Sequence, residues 1–127
     1  MFRKMRRSPQ ALSREEMTDL LKTETRGVMS VHGDDGYPYG VPINHFYNDE
    51  DGKLYFHGAK EGHKIDSIMK CDKVSYCVMD EGFRREGEWA LNITSVVVFG
   101  RIRFVADPDL ILKIGTNLCR KFTNDEE

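Results

Sequence analysis

The chain has 127 residues, enough for one domain with a real core. Its 19 Lys and Arg against 21 Asp and Glu leave a formal charge of −2, so no global basic field points to nucleic acid or an anionic membrane, and any anion site must be local. No apolar run approaches the roughly 20 residues of a membrane helix, and the basic start MFRKMRR lacks the apolar stretch of a secretory leader.

The first predicted element opens at Ser13-Arg14-Glu15-Glu16, where Ser13 and Glu16 can each satisfy an orphan backbone N–H. Met17, Leu20 and Leu21 then line one face of a short helix. Val28 to Val31, a polar turn at Gly33-Asp34-Asp35-Gly36 and the run Tyr37–Tyr47 predict a β-hairpin. Pro38 and Pro42 cannot donate to a ladder, so the second run is expected to be an edge strand or to break near position 42. A turn at Asp49–Gly52 leads to a strand over Lys53–Phe56. Residues 61–70 place Ile65, Ile68 and Met69 on one helical face. Val74, Tyr76 and Val78 alternate with polar neighbours as a half-buried strand. After the polar stretch Glu81–Glu88, Ile93–Val105 predicts one long bent strand. Asp107-Pro108 then starts a last helix with Leu110, Ile111 and Ile114 inward. Antiparallel strands with inserted helices predict a mainly β, α+β domain built on a small barrel. Few strands remain to close it.

Nothing repeats and no linker divides the chain, so residues 1–127 are expected to form a single domain. Cys71, Cys77 and Cys119 form no C-x-x-C pair and are odd in number, which fits a reducing cytoplasm. His32, His45, His57 and His63 match no structural zinc spacing with Cys71 or Cys77, so no metal is expected. No Ser-His-Asp or Cys-His constellation emerges, and no catalytic residue is assigned.

The stretch YFHGAKEGHKID, residues 55–66, raises a specific question. A strand breaks at Gly58 and enters a helix with Lys60, His63 and Lys64 in its opening turn, where the helix dipole favours anions over cations. Such a run is commonly a solvated face. Here free backbone N–H groups, the dipole and lysines meet after a strand, which is how proteins hold phosphate.

YPYGVPINHFYNDEDGKLYFHGAKEGHKID together with SVVVFGRIRFV resembles the flavin-binding split-barrel proteins related to pyridoxamine 5′-phosphate oxidase, in particular their nitroimidazole-resistance branch. The resemblance spans about residues 13 to 120 and rests on the ordered combination of P-Y-x-V-P, L-Y-F-H-x-A and G-x-K. It implies an antiparallel split β-barrel and a bound FMN, with FAD as the alternative. It lays Val41, Pro42, Ile43 and Asn44 along the flavin ring and brings Phe56, His57, Gly58 and Ala59 to the ring and ribityl chain. The phosphate would sit on Lys64, supported by Lys60 and His63. Family members are homodimers with flavin at the interface, which implicates Trp89, Ser95 and Val96 from the partner subunit. Ile93 stands where the family often has an aromatic residue. The family also usually continues past the last helix into a further strand, so either a short member or a truncated sequence is expected, and pyridoxamine 5′-phosphate oxidase activity itself is not.

The expected function is therefore an FMN-dependent oxidoreductase passing electrons to a nitroaromatic or other small organic acceptor, the redox chemistry belonging to the cofactor. The alternative is a flavin or haem carrier or sensor on the same barrel. A nucleic-acid-binding barrel is disfavoured by the acidic balance and the lack of a basic, aromatic stacking surface, and no membrane partner is expected. Arg84-Arg85 is read as a solvated loop, or as a selector of anionic substrates if it lies near the flavin.

Overall fold

The computed structural model describes residues 11–57 and 62–123. Helix α1 (Arg14–Thr23) starts with the expected reciprocal cap: the Glu16 N–H donates to Ser13 Oγ at 3.1 Å and the Ser13 N–H to Glu16 Oε1 at 2.9 Å. Strands β1 (Arg26–His32) and β2 (Pro38–Asn48) form a hairpin around a tight 3₁₀ turn, Asp34–Gly36. Asp35 and Gly36 take positive φ there, 57° and 79°. Asp tolerates this region better than most residues, and Gly enters it freely. Strand β3 (Lys53–Phe56), helix α2 (His63–Lys70), strands β4 (Lys73–Met79) and β5 (Ser95–Arg101) and helix α3 (Pro108–Thr123) complete the chain.

The strands make one antiparallel sheet in the order β3-β2-β1-β4-β5. Met29, Val31, Tyr76, Val78 and Val96 point to its inner face and pack with Leu20 and Leu21 of α1 and Ile68 of α2. On the opposite face, Phe46 and Tyr55 pack with Ile114 and Leu118 of α3. Three helices on a curled, open five-stranded sheet give the expected α+β split-barrel architecture. No helix among the described residues is long and apolar enough to cross a membrane.

Four expectations are refined. Strand β2 is interior, yet it pairs with β1 through residues 38–44 and with β3 through 45–48, so each half has a bare edge. That change of partner reconciles Pro38 and Pro42 with a continuous strand. The long strand expected over 93–105 shrinks to β5, because β4 has only seven residues to offer as partners. Helix α2 begins at His63, and its buried arc runs through Ile65, Ser67 and Ile68, leaving Met69 75% exposed. Small Ser67, rather than Met69, meets the sheet side. In α3, Ile114 and Leu118 are buried, whereas Ile111 is 51% exposed rather than inward.

Candidate functional site

Residues 41–44 sit where β2 faces β1. Register pairs Val41 with Met29 and Ile43 with Gly27, so both side chains point into the core. Pro42 and Asn44 point to the outer face. Any ligand lying along this segment therefore meets those two side chains and the main chain of Val41 and Ile43. From behind, the Tyr76 hydroxyl donates to the Ile43 carbonyl at 2.9 Å and fixes that stretch of strand. Burial raises the Tyr76 phenol well above its ordinary value, so it stays protonated as a donor.

The outer surface beside Pro42 is apolar. Pro42 pairs with Val28, Val28 with Cys77 and Cys77 with Val97, which lines up four strands in one row. Val28, Met79, Val97 and Phe99 are 39%, 49%, 52% and 57% exposed. These side chains are exposed apolar groups on one sheet face.

At the end of β3, Phe56 turns inward, its ring edge-on to Tyr76 at 4.8 Å, while His57 is exposed. Because His45 pairs with Phe56, the next residues along the same register are Asn44 and His57. The Asn44 Oδ1 accepts from Arg26 Nε at 2.9 Å. Gly58, Ala59 and Lys60 lie outside the described residues. The chain returns at Gly62, whose φ of 132° suits glycine, and enters α2. The His63 ring stacks on Tyr39 of β2 with centroids 4.1 Å apart, and its Nε2 lies 3.7 Å from Asp34 Oδ2. Lys64 is half-buried in the first turn, which also holds Asp66.

The first backbone bond of α2 runs from the Asp66 N–H to the Gly62 carbonyl, leaving the amides of His63, Lys64 and Ile65 ahead of it. These amides with Lys64 and His63 are a donor set suited to a phosphate. On one side of residues 58–61, His57 follows the β3 register opposite Asn44 of β2, and on the other His63 stacks on Tyr39, which packs against the inner core.

Trp89, Ser95 and Val96 sit apart from this group within one chain. Trp89 is 88% exposed in the 80–94 segment and Ser95 is exposed, but Val96 is 7% exposed and packs in the chain's own core. A second subunit can thus meet the side chains of Trp89 and Ser95, and of Val96 only the backbone. The segment is pinned: Asp80 Oδ1 accepts from the Gly82 and Thr94 N–H groups at 3.0 Å each, and Phe83 and Asn92 exchange backbone hydrogen bonds at 2.8 and 2.7 Å. Phe83, Leu91 and Ile93 on it are all more than half exposed.

A cleft of about 630 Å³ opens between α3 and the β2–β3 edge, lined by Asn44, His57, Ile111, Leu112, Gly115 and Leu118 among others. It brings together two expected site residues, Asn44 and His57, with helix residues to which the sequence reading gave no site role. The available signal was Gly115, a glycine in the middle of an otherwise amphipathic helix.

Three helices on a curled five-stranded antiparallel sheet define a split-barrel domain. The sequence matches the family model for pyridoxamine 5′-phosphate oxidase over residues 13–126, and the chain belongs to that family. A conserved hypothetical protein from Mycobacterium tuberculosis is similar in structure, with a TM-score of 0.81 and 17% identity over 98% of this chain and 72% of that one. So is a candidate 5-nitroimidazole antibiotic resistance protein from Bacteroides thetaiotaomicron, with a TM-score of 0.77 and 19% identity over 91% of this chain and 69% of that one. An FAD-binding protein from Mesorhizobium loti is similar at 28% identity and a TM-score of 0.68, over 89% of this chain and 77% of that one. No curated protein matches the sequence.

Proposed function

We propose that the protein binds FMN along residues 41–44 of β2 and acts as an oxidoreductase toward small organic acceptors. The observation that carries this reading is the α2 start, where Lys64 and three leading amides form a phosphate-type donor set held against β2 by the His63–Tyr39 stack. Family membership and the FAD-binding relative at 28% identity support a flavin.

The residues fit the group. Pro42 and the Val28–Cys77–Val97 row would supply apolar contact, and the strand backbone donors and acceptors for a ring edge. Lys64 and His63 would neutralise the phosphate, Lys60 joining them across the connection, while His57 would stand at the ring and ribityl end with Gly58 and Ala59. Bound flavin would supply two-electron transfer between a reduced nicotinamide or similar donor and the acceptor. No protein nucleophile is then needed. A nitroaromatic acceptor is the specific case suggested by the Bacteroides neighbour.

The protein is further proposed to be a cytoplasmic homodimer. The exposed Val28, Met79, Val97 and Phe99 face and the exposed Trp89 are surfaces that a second copy would cover. Ser95 and Trp89 would then reach the partner's flavin.

FMN titration of flavin-free protein tests the assignment. Wild type is expected to bind, with Lys64→Ala weakened at least tenfold, while failure of the wild type to take up FMN would overturn it. A steady-state assay with a nicotinamide donor and a nitroaromatic acceptor then separates enzyme from carrier, because a carrier binds flavin without turnover.

A further inference from the structure

Tyr76 is almost wholly buried in the core, where a phenylalanine would fill the same space, yet its hydroxyl is placed with care. It donates to the Ile43 carbonyl at 2.9 Å and lies 2.7 Å from His45 Nδ1, so two acceptors share its one proton. The ring also meets Phe56, the last residue of β3, edge-on at 4.8 Å. One side chain of β4 thus touches both strands that lead into the candidate site.

Gly27 makes room for the hydroxyl. It stands opposite Ile43 in the ladder, and a Cβ there would lie 2.8 Å from the Tyr76 hydroxyl oxygen and 2.6 Å from Cζ. Glycine weakens a strand interior, and often marks a close approach of another group. The bond from Tyr76 to Ile43 is an addition to the strand ladder rather than a part of it.

Strand geometry gives that bond a direction. The His45 N–H donates to the Thr25 carbonyl, on the β1 side, at 3.2 Å. Main-chain groups alternate along a strand, so Ile43 also faces β1, while the Asn44 N–H points the other way, toward the β3 side. The β3 ladder ends at His45–Phe56, one position short of Asn44. The Ile43 carbonyl and the Asn44 N–H belong to one peptide group, and a donor on the first makes the second a stronger donor.

We propose that Tyr76 is a positioning residue for the flavin: its hydroxyl fixes and polarises the Ile43–Asn44 peptide, whose N–H is turned to the ring edge. This deepens the flavin reading, on which it rests, by naming a residue that sets the redox balance of the cofactor without touching it. Reduction adds electron density to the ring nitrogens and carbonyl oxygens, so a stronger N–H donor favours reduced over oxidised FMN.

Dithionite titration of FMN-loaded protein against a reference dye reads the two-electron midpoint and tests this. Tyr76→Phe is expected to weaken reduced FMN at least threefold more than oxidised FMN, a fall of about 14 mV or more at about 30 mV per tenfold. Tyr76→3-fluorotyrosine, a stronger donor of nearly the same size, is expected to raise the midpoint. Val78→Ala trims a buried side chain of the same strand and core and is expected to leave it unchanged. The proposal alone is overturned if Tyr76→Phe keeps the wild-type midpoint, if Val78→Ala lowers it as far, or if the fluorinated protein shows no rise. Should Tyr76→Phe fail to fold, the fluorotyrosine shift decides. A wild type that takes up no FMN overturns the flavin reading and this proposal with it.

Discussion

The Nδ1 of His45 lies 2.7 Å from the hydroxyl of Tyr76 in the middle of the core, and both side chains are almost wholly buried. The other ring nitrogen, Nε2, is 2.8 Å from the Leu21 carbonyl and must donate to it, which makes Nδ1 the acceptor in the neutral ring. The Tyr76 proton then lies between His45 Nδ1 and the Ile43 carbonyl. One polar pair thus ties the end of α1 and the interior strand β4 to the part of β2 that carries the candidate site.

This pair makes stability depend on pH. Burial first, then the nearby Lys121 charge, press the His45 imidazole down from 6.5 to about 4, against the opposing hydrogen bond to Leu21. Because the folded value lies below the unfolded one, the contribution is complete above about pH 6.5 and is lost as pH falls through 4. It amounts to at most about 3 kcal/mol. Urea denaturation midpoints between pH 7.5 and 4.5 should fall for wild type, and more steeply than for His45→Gln, which removes the titration.

Tyr76→Phe should cost about 1–3 kcal/mol, because it leaves His45 Nδ1 and the Ile43 carbonyl without the hydroxyl while preserving the ring. Chemical denaturation measures the loss. A change below about 0.5 kcal/mol would mean that the hydroxyl is replaceable by water.

Gly27→Ala should be destabilising by about 1–3 kcal/mol. An added Cβ would lie 2.5 Å from the Cys77 carbonyl oxygen and 2.6 Å from Tyr76 Cζ, and the first of these is backbone that cannot swing away. Gly115→Ala, with open space, should instead raise the melting temperature by a few degrees.

The homodimer proposal predicts that Val97→Asp, at a 52% exposed position on the outer face, yields a monomer with an unchanged circular dichroism spectrum. Sedimentation velocity distinguishes the species. A wild type that sediments as a monomer at micromolar concentration would remove the basis for partner contacts by Trp89 and Ser95.

Local signals in the sequence carried much of this fold. The Ser13–Glu16 cap, the Asp34–Gly36 turn, β3 and the Asp107-Pro108 helix start depend on neighbours a few residues away, and all appear where expected. Features set by distant partners were harder to read. The end of β5 is fixed by the length of β4, and the tolerance of Pro42 by the switch of β2 from β1 to β3. His45 could not be distinguished from an ordinary strand histidine until Tyr76 and Leu21 were brought to it. At the site, the motif resemblance named Val41 through Asn44 together, but only the register separates outward Pro42 and Asn44 from inward Val41 and Ile43. The α3 wall has no motif, and the helix's position against β2 decides it.

The most direct test of the central claim is the absorption spectrum of freshly purified protein, before and after incubation with FMN and removal of the excess. The account predicts the visible bands of bound flavin at up to one per chain, with Lys64→Ala prepared identically retaining less. A wild type that stays colourless after incubation would contradict it and return Lys64 and His63 to an ordinary helix start.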